Sequence, residues 1–221
     1  MQRGLAGVLR SLILSIPVLF TAGLATADPI PIEGLLNTGV DQFGNVLAAG
    51  TLEQNYSMSG PVASALVIAP HPVWVGAPSG SAWIGPAPAS TTSPVGDYTY
   101  SIMFDMTGLD LATAMISAQV SSDNHTEVRL NDNLVSFDNG SQGYLFLTDL
   151  LIEDGFTGGI NTLSFVVTNE PYSGVNPSGL LIANISGSAM LGSQTPEPST
   201  AILLALGLAG LTAVRRRRQT A

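Results

Sequence analysis

The chain has 221 residues and a formal net charge of −9, and only 10% of its residues are charged, against roughly 25% in an ordinary soluble domain. It contains no cysteine, which excludes disulfide frameworks, thiolate metal sites and cysteine nucleophiles. All sixteen acidic residues but only one basic residue, Arg129, lie between Asp28 and Glu197, and this acidity argues against a nucleic-acid partner because phosphate binding depends on Lys and Arg.

Residues 1–27 have the layout of a secretory signal peptide. Two arginines are followed by an apolar run at 12–20 and then by small residues that end in Ala27. This order predicts recognition by signal peptidase and cleavage between Ala27 and Asp28. An uncleaved membrane anchor is the alternative, but the apolar run is short for a membrane span.

The middle of the chain, residues 28–193, is predicted to be a single all-β sandwich. Apolar residues alternate along 98–106, and this period of two is typical of a half-buried strand. Turn-forming residues separate the further runs at spacings of roughly 8 to 12 residues, which favours a sandwich. The other predicted strands cover 50–58, 63–68, 82–84, 114–120, 126–130, 144–150, 162–168 and 180–191.

Aromatic residues in loops are the candidate ligand-binding groups. Proline and glycine are dense from 69 to 94, so this stretch is predicted to be mostly loop with at most edge strands. Trp74 and Trp83 lie in it, and Tyr172 lies in a second loop, where each ring could be presented to a sugar. For Trp83 the alternative, favoured here, is that the ring caps one end of the core.

Catalytic motifs are not recognisable in the sequence. The two histidines, His71 and His125, lie outside any known catalytic pattern. Glycosidase-like carboxylate pairs are an alternative at Glu153 with Asp154 and at Asp105 with Asp110, but surface solubility is the favoured explanation of these acids. The sequence therefore favours a protein that is not an enzyme.

Calcium is the one metal that the residue types suggest. Oxygen ligands cluster at Asp41, with Asn37 and Asn45 around it, and at Asp123 with Asn124. Asx-turns that cap loops explain the same residues without an ion, and no EF-hand spacing is present. The sequence predicts no other cofactor.

The last 28 residues, 194–221, have three parts. Pro196, Glu197 and Pro198 come first, an uncharged apolar segment fills 200–214, and the basic cluster Arg215, Arg216, Arg217 and Arg218 follows. A 15-residue helix rises only about 22 Å, which is marginal for a span. Four arginines after it predict that this end stays in the cytoplasm.

This tail resembles the PEP-CTERM sorting signal of exported proteins of Gram-negative bacteria. The resemblance implies an exosortase-like membrane protease as a partner, a transient inner-membrane anchor, and release near 196–198 to the cell surface or extracellular matrix. A permanent tail anchor is the alternative.

The middle domain resembles the galactose-binding-like jelly rolls of exported bacterial proteins. The resemblance lies, in chain order, in the segments 108–114, 122–124, 128–133 and 159–167. Here Asp132-Asn133 stands where those domains have an Asn-Gly hairpin turn. The resemblance implies a sandwich fold and permits carbohydrate binding.

The leading hypothesis is thus a non-enzymatic exported protein of the cell surface or extracellular matrix. The alternative is a carbohydrate-binding module that recognises exopolysaccharide or environmental glycan through Trp83 and neighbouring loops. A secreted hydrolase ranks below both.

Overall fold

The computed structural model describes residues 28–192, 204–209 and 215. Ala27 of the predicted cleavage site, the motif at 196–198 and the arginines at 216–218 lie outside the described residues. Residues 204–209 are helical and exposed. Within the described parts of the chain, no helix has the length and apolar character needed to cross a membrane.

Short and long β-strands make up almost all the regular structure between residues 28 and 192. Two 3₁₀ turns, Leu111–Thr113 and Gly143–Leu145, interrupt them. The strands are β1 Ile30–Pro31, β2 Ser57–Ser59, β3 Leu66–Val67, β4 Ile84–Gly85, β5 Gly96–Asp105, β6 Met115–Asp123, β7 His125–Leu130, β8 Asn133–Leu134, β9 Thr148–Ile152, β10 Ile160–Asn169 and β11 Gly179–Ala189.

The strands form two antiparallel sheets with jelly-roll connectivity. One sheet has the order β3-β4-β11-β6-β9, with β1 also paired to β11, and the other has the order β2-β5-β10-β7-β8. From β4 to β7 each strand lies in the sheet opposite to its predecessor, and β9, β10 and β11 alternate again. This double Greek-key arrangement confirms the predicted all-β jelly-roll sandwich.

The core lies between the two sheets and follows the period-two pattern of the sequence. Tyr98, Tyr100, Ile102 and Phe104 of β5 are all buried, and they pair across to the equally regular β10. The apolar side chains of Ile102 and Phe104 each contribute about 1.5 to 3 kcal/mol by leaving water. The strongest pattern in the sequence therefore became the centre of the fold.

The proline-rich stretch forms a second, smaller hydrophobic cluster. Trp74 and Trp83 pack with Leu181 of β11, Ile68 and Ala89, outside the main core. The stretch contributes only the two-residue strand β4, as its proline content predicts. Its remaining backbone is held by the cluster, with Trp83 Nε1 donating to the carbonyl of Val75 at 2.9 Å.

Three local predictions need correction. The predicted strand at 50–58 is paired only at Ser57–Ser59 and at an isolated bridge. The predicted strand at 144–150 begins at Thr148, because a 3₁₀ turn occupies Gly143–Leu145.

The third correction concerns the hairpin turn. It falls at Asn131-Asp132, one residue before the predicted Asp132-Asn133, since Leu130 pairs with Asn133. Asn131 and Asp132 have φ of 51° and 64°, as a type I′ turn requires at both central positions.

The connections divide the sandwich into two ends. The loop pole consists of the connections 86–95, 135–147 and 170–178 together with the β6–β7 turn at Asn124. The terminal pole consists of the connections 106–114, 131–132 and 153–159.

Candidate functional site

A recess of about 270 Å³ opens at the loop pole. It brings together Trp74, Asp123, Asn124 and Tyr172, which the sequence had placed in separate hypotheses for sugar and calcium. His71, Tyr144, Glu170 and Val175 also line it. Four chain segments distant in sequence thus converge on one surface.

Trp74 and Asp123 form the floor of the recess. Trp74 Nε1 donates a hydrogen bond of 3.0 Å to Asp123 Oδ2. Both residues are buried, at 6% and 7% exposure. Asp123 ends β6, so a strand fixes the carboxyl while a loop supplies the indole.

Trp83 supports this floor from behind. Its ring centroid lies 4.4 Å from that of Trp74, and the residue is 0% exposed. The expectation that Trp83 presents its ring to a ligand is therefore corrected, since a fully buried ring has no free face. Trp74, at 6% exposure, is also too buried to act as an open platform.

Tyr172 is the exposed aromatic residue of the recess. It is 71% exposed, on the connection between β10 and β11, and Val175 beside it is 52% exposed. An open ring next to an apolar side chain suits contact with the apolar face of a sugar.

Hydrogen bonds to the backbone hold the wall that carries Glu170. Asn124 Oδ1 accepts from the backbone N–H of Glu170 at 3.0 Å, and Asn176 Nδ2 donates to the carbonyl of Glu170 at 2.9 Å. Ser178 Oγ donates to the carbonyl of Asp123 at 3.1 Å. The backbone of this wall and the amides of Asn124 and Asn176 are thus fixed in place, which lowers the entropic cost of binding.

The electrostatics of the recess centre on Asp123. Burial raises the pKa of its carboxyl to about 6, and the hydrogen bond from Trp74 opposes this shift. A carboxyl with a raised pKa in a concave site is a mark of functional sites.

The calcium hypothesis finds no assembled ligand set in the described residues. Asp123 Oδ2 and Asn124 Oδ1 are both engaged by N–H donors. Across residues 28–192, 204–209 and 215, no three His, Cys, Asp or Glu side chains come together as a group that could hold a metal ion.

Asp41 instead caps its own turn. Its Oδ1 accepts from the backbone N–H groups of Phe43 and Asn45 at 2.8 and 2.9 Å, and the side-chain amide of Asn45 holds the pKa of Asp41 below its ordinary value. Asn37 lies elsewhere, bonding to Gly80 and Ile185. This is the Asx-turn arrangement.

The carboxylate pairs considered in the sequence lie far from the recess. Asp105 accepts from Thr107 at 2.6 and 2.8 Å and Asp110 caps a 3₁₀ turn, while Glu153 and Asp154 are exposed. All four belong to the terminal pole or its edge. Glu170 and Tyr144 were not singled out in the sequence, and only their position beside the Asp123-Asn124 turn reveals them.

Among the comparisons with known proteins, a family match falls on the tail of the chain. A family model described as PEP-CTERM protein-sorting motif matches residues 194–218, which confirms the resemblance of the tail to that sorting signal. No curated protein matches the chain.

Several solved structures are similar to this chain. A family 35 carbohydrate binding module from Clostridium thermocellum is 10% identical, covers 74% of this chain and 99% of its own, and has a TM-score of 0.38. A family 35 module from Paenibacillus barcinonensis is 13% identical over 59% and 93% of the two chains, with a TM-score of 0.33. An exo-beta-1,3-galactanase from Phanerochaete chrysosporium is 14% identical over 62% and 30%, with a TM-score of 0.30.

Proposed function

We propose that this chain is a non-enzymatic exported protein, displayed at the cell surface or in the extracellular matrix of a Gram-negative bacterium, that binds carbohydrate in the recess of its loop pole. The sorting motif at 194–218 supports export and handling at the membrane. The recess supports the carbohydrate partner, and its convergence of an open ring, a carboxyl and amide groups is the observation that carries the proposal.

The chemistry of the recess matches the two sides of a sugar. The exposed ring of Tyr172 suits the apolar C–H face. The carboxylate of Glu170 and the carboxyl of Asp123 suit hydroxyl groups, because charge-assisted hydrogen bonds are the stronger ones. A mostly preformed concave site with a few fixed polar groups is typical of ligand pockets.

Retention of polysaccharides tests the binding proposal. Residues 28–195 are immobilised and offered a panel of bacterial exopolysaccharides and plant glycans. Tyr172→Ala should reduce retention about two- to thirteenfold, the range expected for one aromatic contact of about 0.5 to 1.5 kcal/mol. Phe43→Ala is the matched control, since Phe43 is 79% exposed and does not line the recess. Retention of no polymer, or equal effects of both changes, would reject the carbohydrate proposal.

A hydrolase is the second candidate, because Asp123 and Glu170 place two carboxyl groups in one recess and glycosidases use such pairs. Incubation of each retained polymer with the protein, followed by assay of new reducing ends, separates the two functions. A binding module releases none, whereas a hydrolase releases reducing ends that Glu170→Gln abolishes.

Sorting is tested in the producing bacterium. With Pro196, Glu197 and Pro198 replaced by alanine, the protein should retain its tail and stay in the inner membrane. The unaltered protein should yield a mass that begins at Asp28 and ends near Pro198. An unchanged mass and location after the replacement would reject exosortase-type processing.

A further inference from the structure

We infer that the terminal pole is the membrane-facing surface of the tethered protein, so that the recess points away from the membrane and captures polymer before the tail is processed. The inference rests on the proposed function for the tether and the glycan. Its geometric part follows from the topology of the sandwich and the length of the linker to the tail.

Both ends of the exported domain emerge at the terminal pole. Ile30 of β1 pairs with Ala189 at the end of β11, which places Asp28 beside the exit of the chain. Gly192 donates its backbone N–H to the carbonyl of Gly108 at 2.8 Å. The last described residue before the tail is therefore fixed against the β5–β6 connection.

Strand β11 spans the distance between the two poles. It begins at Gly179, paired with Asp123 at the recess, and it ends at Ala189 at the terminal pole. Its 11 residues at 3.2 to 3.4 Å each cover about 33 Å, allowing a little shortening at its bulge. The recess thus lies roughly 30 Å or more from the point where the tail leaves the domain.

The linker between the domain and the apolar segment is shorter than the distance between the two poles of the domain. Seven residues, 193–199, separate Gly192 from the apolar segment that begins at Thr200. The eight steps from Gly192 to Thr200, at 3.3 to 3.6 Å each, reach at most about 29 Å. The headgroup layer takes up about 5 to 7 Å of that reach.

These lengths exclude the inverted orientation. If the recess faced the lipid, the attachment point would stand about 33 Å above the membrane, beyond the reach of the linker. The attachment pole must therefore stay near the lipid, and the recess remains accessible to polymer outside the cell while the tail is still present.

Fluorescence energy transfer tests the orientation, and the absence of native cysteine makes single labels unambiguous. Ala112→Cys places a donor at the terminal pole and Ser173→Cys places one at the loop pole, both at exposed positions. The full chain, made without the processing enzyme and purified with its tail, is reconstituted in vesicles of phosphatidylethanolamine and phosphatidylglycerol that carry an acceptor dye on some headgroups.

We expect the donor at position 112 to transfer at least about twice as efficiently as the donor at 173, because their heights differ by about 30 Å. Asp154→Cys and Ser90→Cys repeat the comparison at second exposed sites of the two poles. Equal transfer from the two poles, or stronger transfer from the loop pole, would overturn the inference.

The capture step has its own readout. A polymer retained by residues 28–195 should also be retained by the vesicle-bound full chain within about twofold, and loss of retention on tethering would overturn capture before processing. A difference in transfer without any polymer binding rejects the proposed glycan function but leaves the orientation intact. Polymer binding with equal transfer from both poles rejects the orientation but leaves the proposed glycan function intact.

Discussion

Asp123 accepts a 3.0 Å hydrogen bond from the indole of Trp74, a residue 49 positions earlier in the chain. This contact joins the end of β6 to the proline-rich stretch and closes the floor of the recess. It also leaves a carboxyl group where burial disfavours its charge. The contact therefore holds the recess in place, but the charged form of Asp123 lowers the stability of the folded protein, so this stability depends on pH.

The pH dependence of stability is the first prediction. The pKa of Asp123 is about 6 in the folded protein against an ordinary 3.8, so the folded state binds the extra proton between these values. The stability that proton binding at Asp123 gives the folded state is fully present below about pH 4 and is lost as pH rises through about 6.

Asp123→Asn removes this titration and keeps an oxygen acceptor for Trp74. At pH 7 the variant should be more stable than the unaltered protein, with a free energy of unfolding higher by at most about 3 kcal/mol. This difference in the free energy of unfolding should disappear towards pH 4. Urea unfolding from pH 4 to 7.5 measures this. A gap that is constant over this range would contradict the raised pKa.

Trp83 tests the second hydrophobic cluster. Trp83→Ala removes a fully buried ring that packs on Trp74, and it should lower the free energy of unfolding by about 3 to 5 kcal/mol. The exposed control Phe43→Ala should change it by less than about 0.5 kcal/mol. Chemical denaturation of residues 28–195 gives both values. Similar small effects would show that the cluster does not stabilise the domain.

Gly179 tests how closely the backbone of β11 approaches the floor of the recess. A Cβ at this position would lie 2.8 Å from the Trp74 ring, so Gly179→Ala should displace the indole and cost about 1 to 3 kcal/mol. Gly158→Ala is the control, because a Cβ there meets nothing within 4 Å.

The readouts for Gly179 are the unfolding midpoint and the near-ultraviolet circular dichroism of tryptophan. Only the change at 179 should alter the tryptophan signal. An unaltered signal together with an unaltered midpoint would mean that the ring is not seated as described.

The β7–β8 hairpin offers a stabilising change. Asp132 has a φ of 64°, a left-handed conformation that costs a non-glycine residue about 1 kcal/mol. Asp132→Gly should raise the free energy of unfolding by a few tenths to about 1 kcal/mol, since Asn-Gly is the preferred pair for this turn.

Asn133→Gly, one residue later in the paired strand β8, should not stabilise, because glycine weakens strands. Thermal unfolding of the two variants distinguishes the turn positions. Stabilisation by the change at 133 but not at 132 would restore the turn to the position that the sequence first suggested.

The long strands were predictable because their signal is local. Alternation of apolar residues in β5 and β10 requires no knowledge of the partner strand, and both strands lie near the positions that the pattern predicted. The strand predicted at 144–150 began too early because Tyr144 and Leu147 pack against the tryptophan cluster. These two residues are apolar because they pack in that cluster, and their pattern therefore does not indicate a strand.

The sequence by itself determined the sorting motif and the all-β class, because a sorting motif and a two-residue period each depend on residues adjacent in the chain. Only the tertiary structure decided which loop residues share a site. Trp74, Asp123 and Tyr172 meet because antiparallel strands return the chain repeatedly to the same pole.

The burial of Trp83 was decided in the same way. Its ring is covered by Leu181 and Trp74, which lie nearly 100 residues further along the chain and nine residues earlier in it. The burial of a loop residue depends on contacts with such neighbours in the fold, and a local sequence pattern does not predict these contacts.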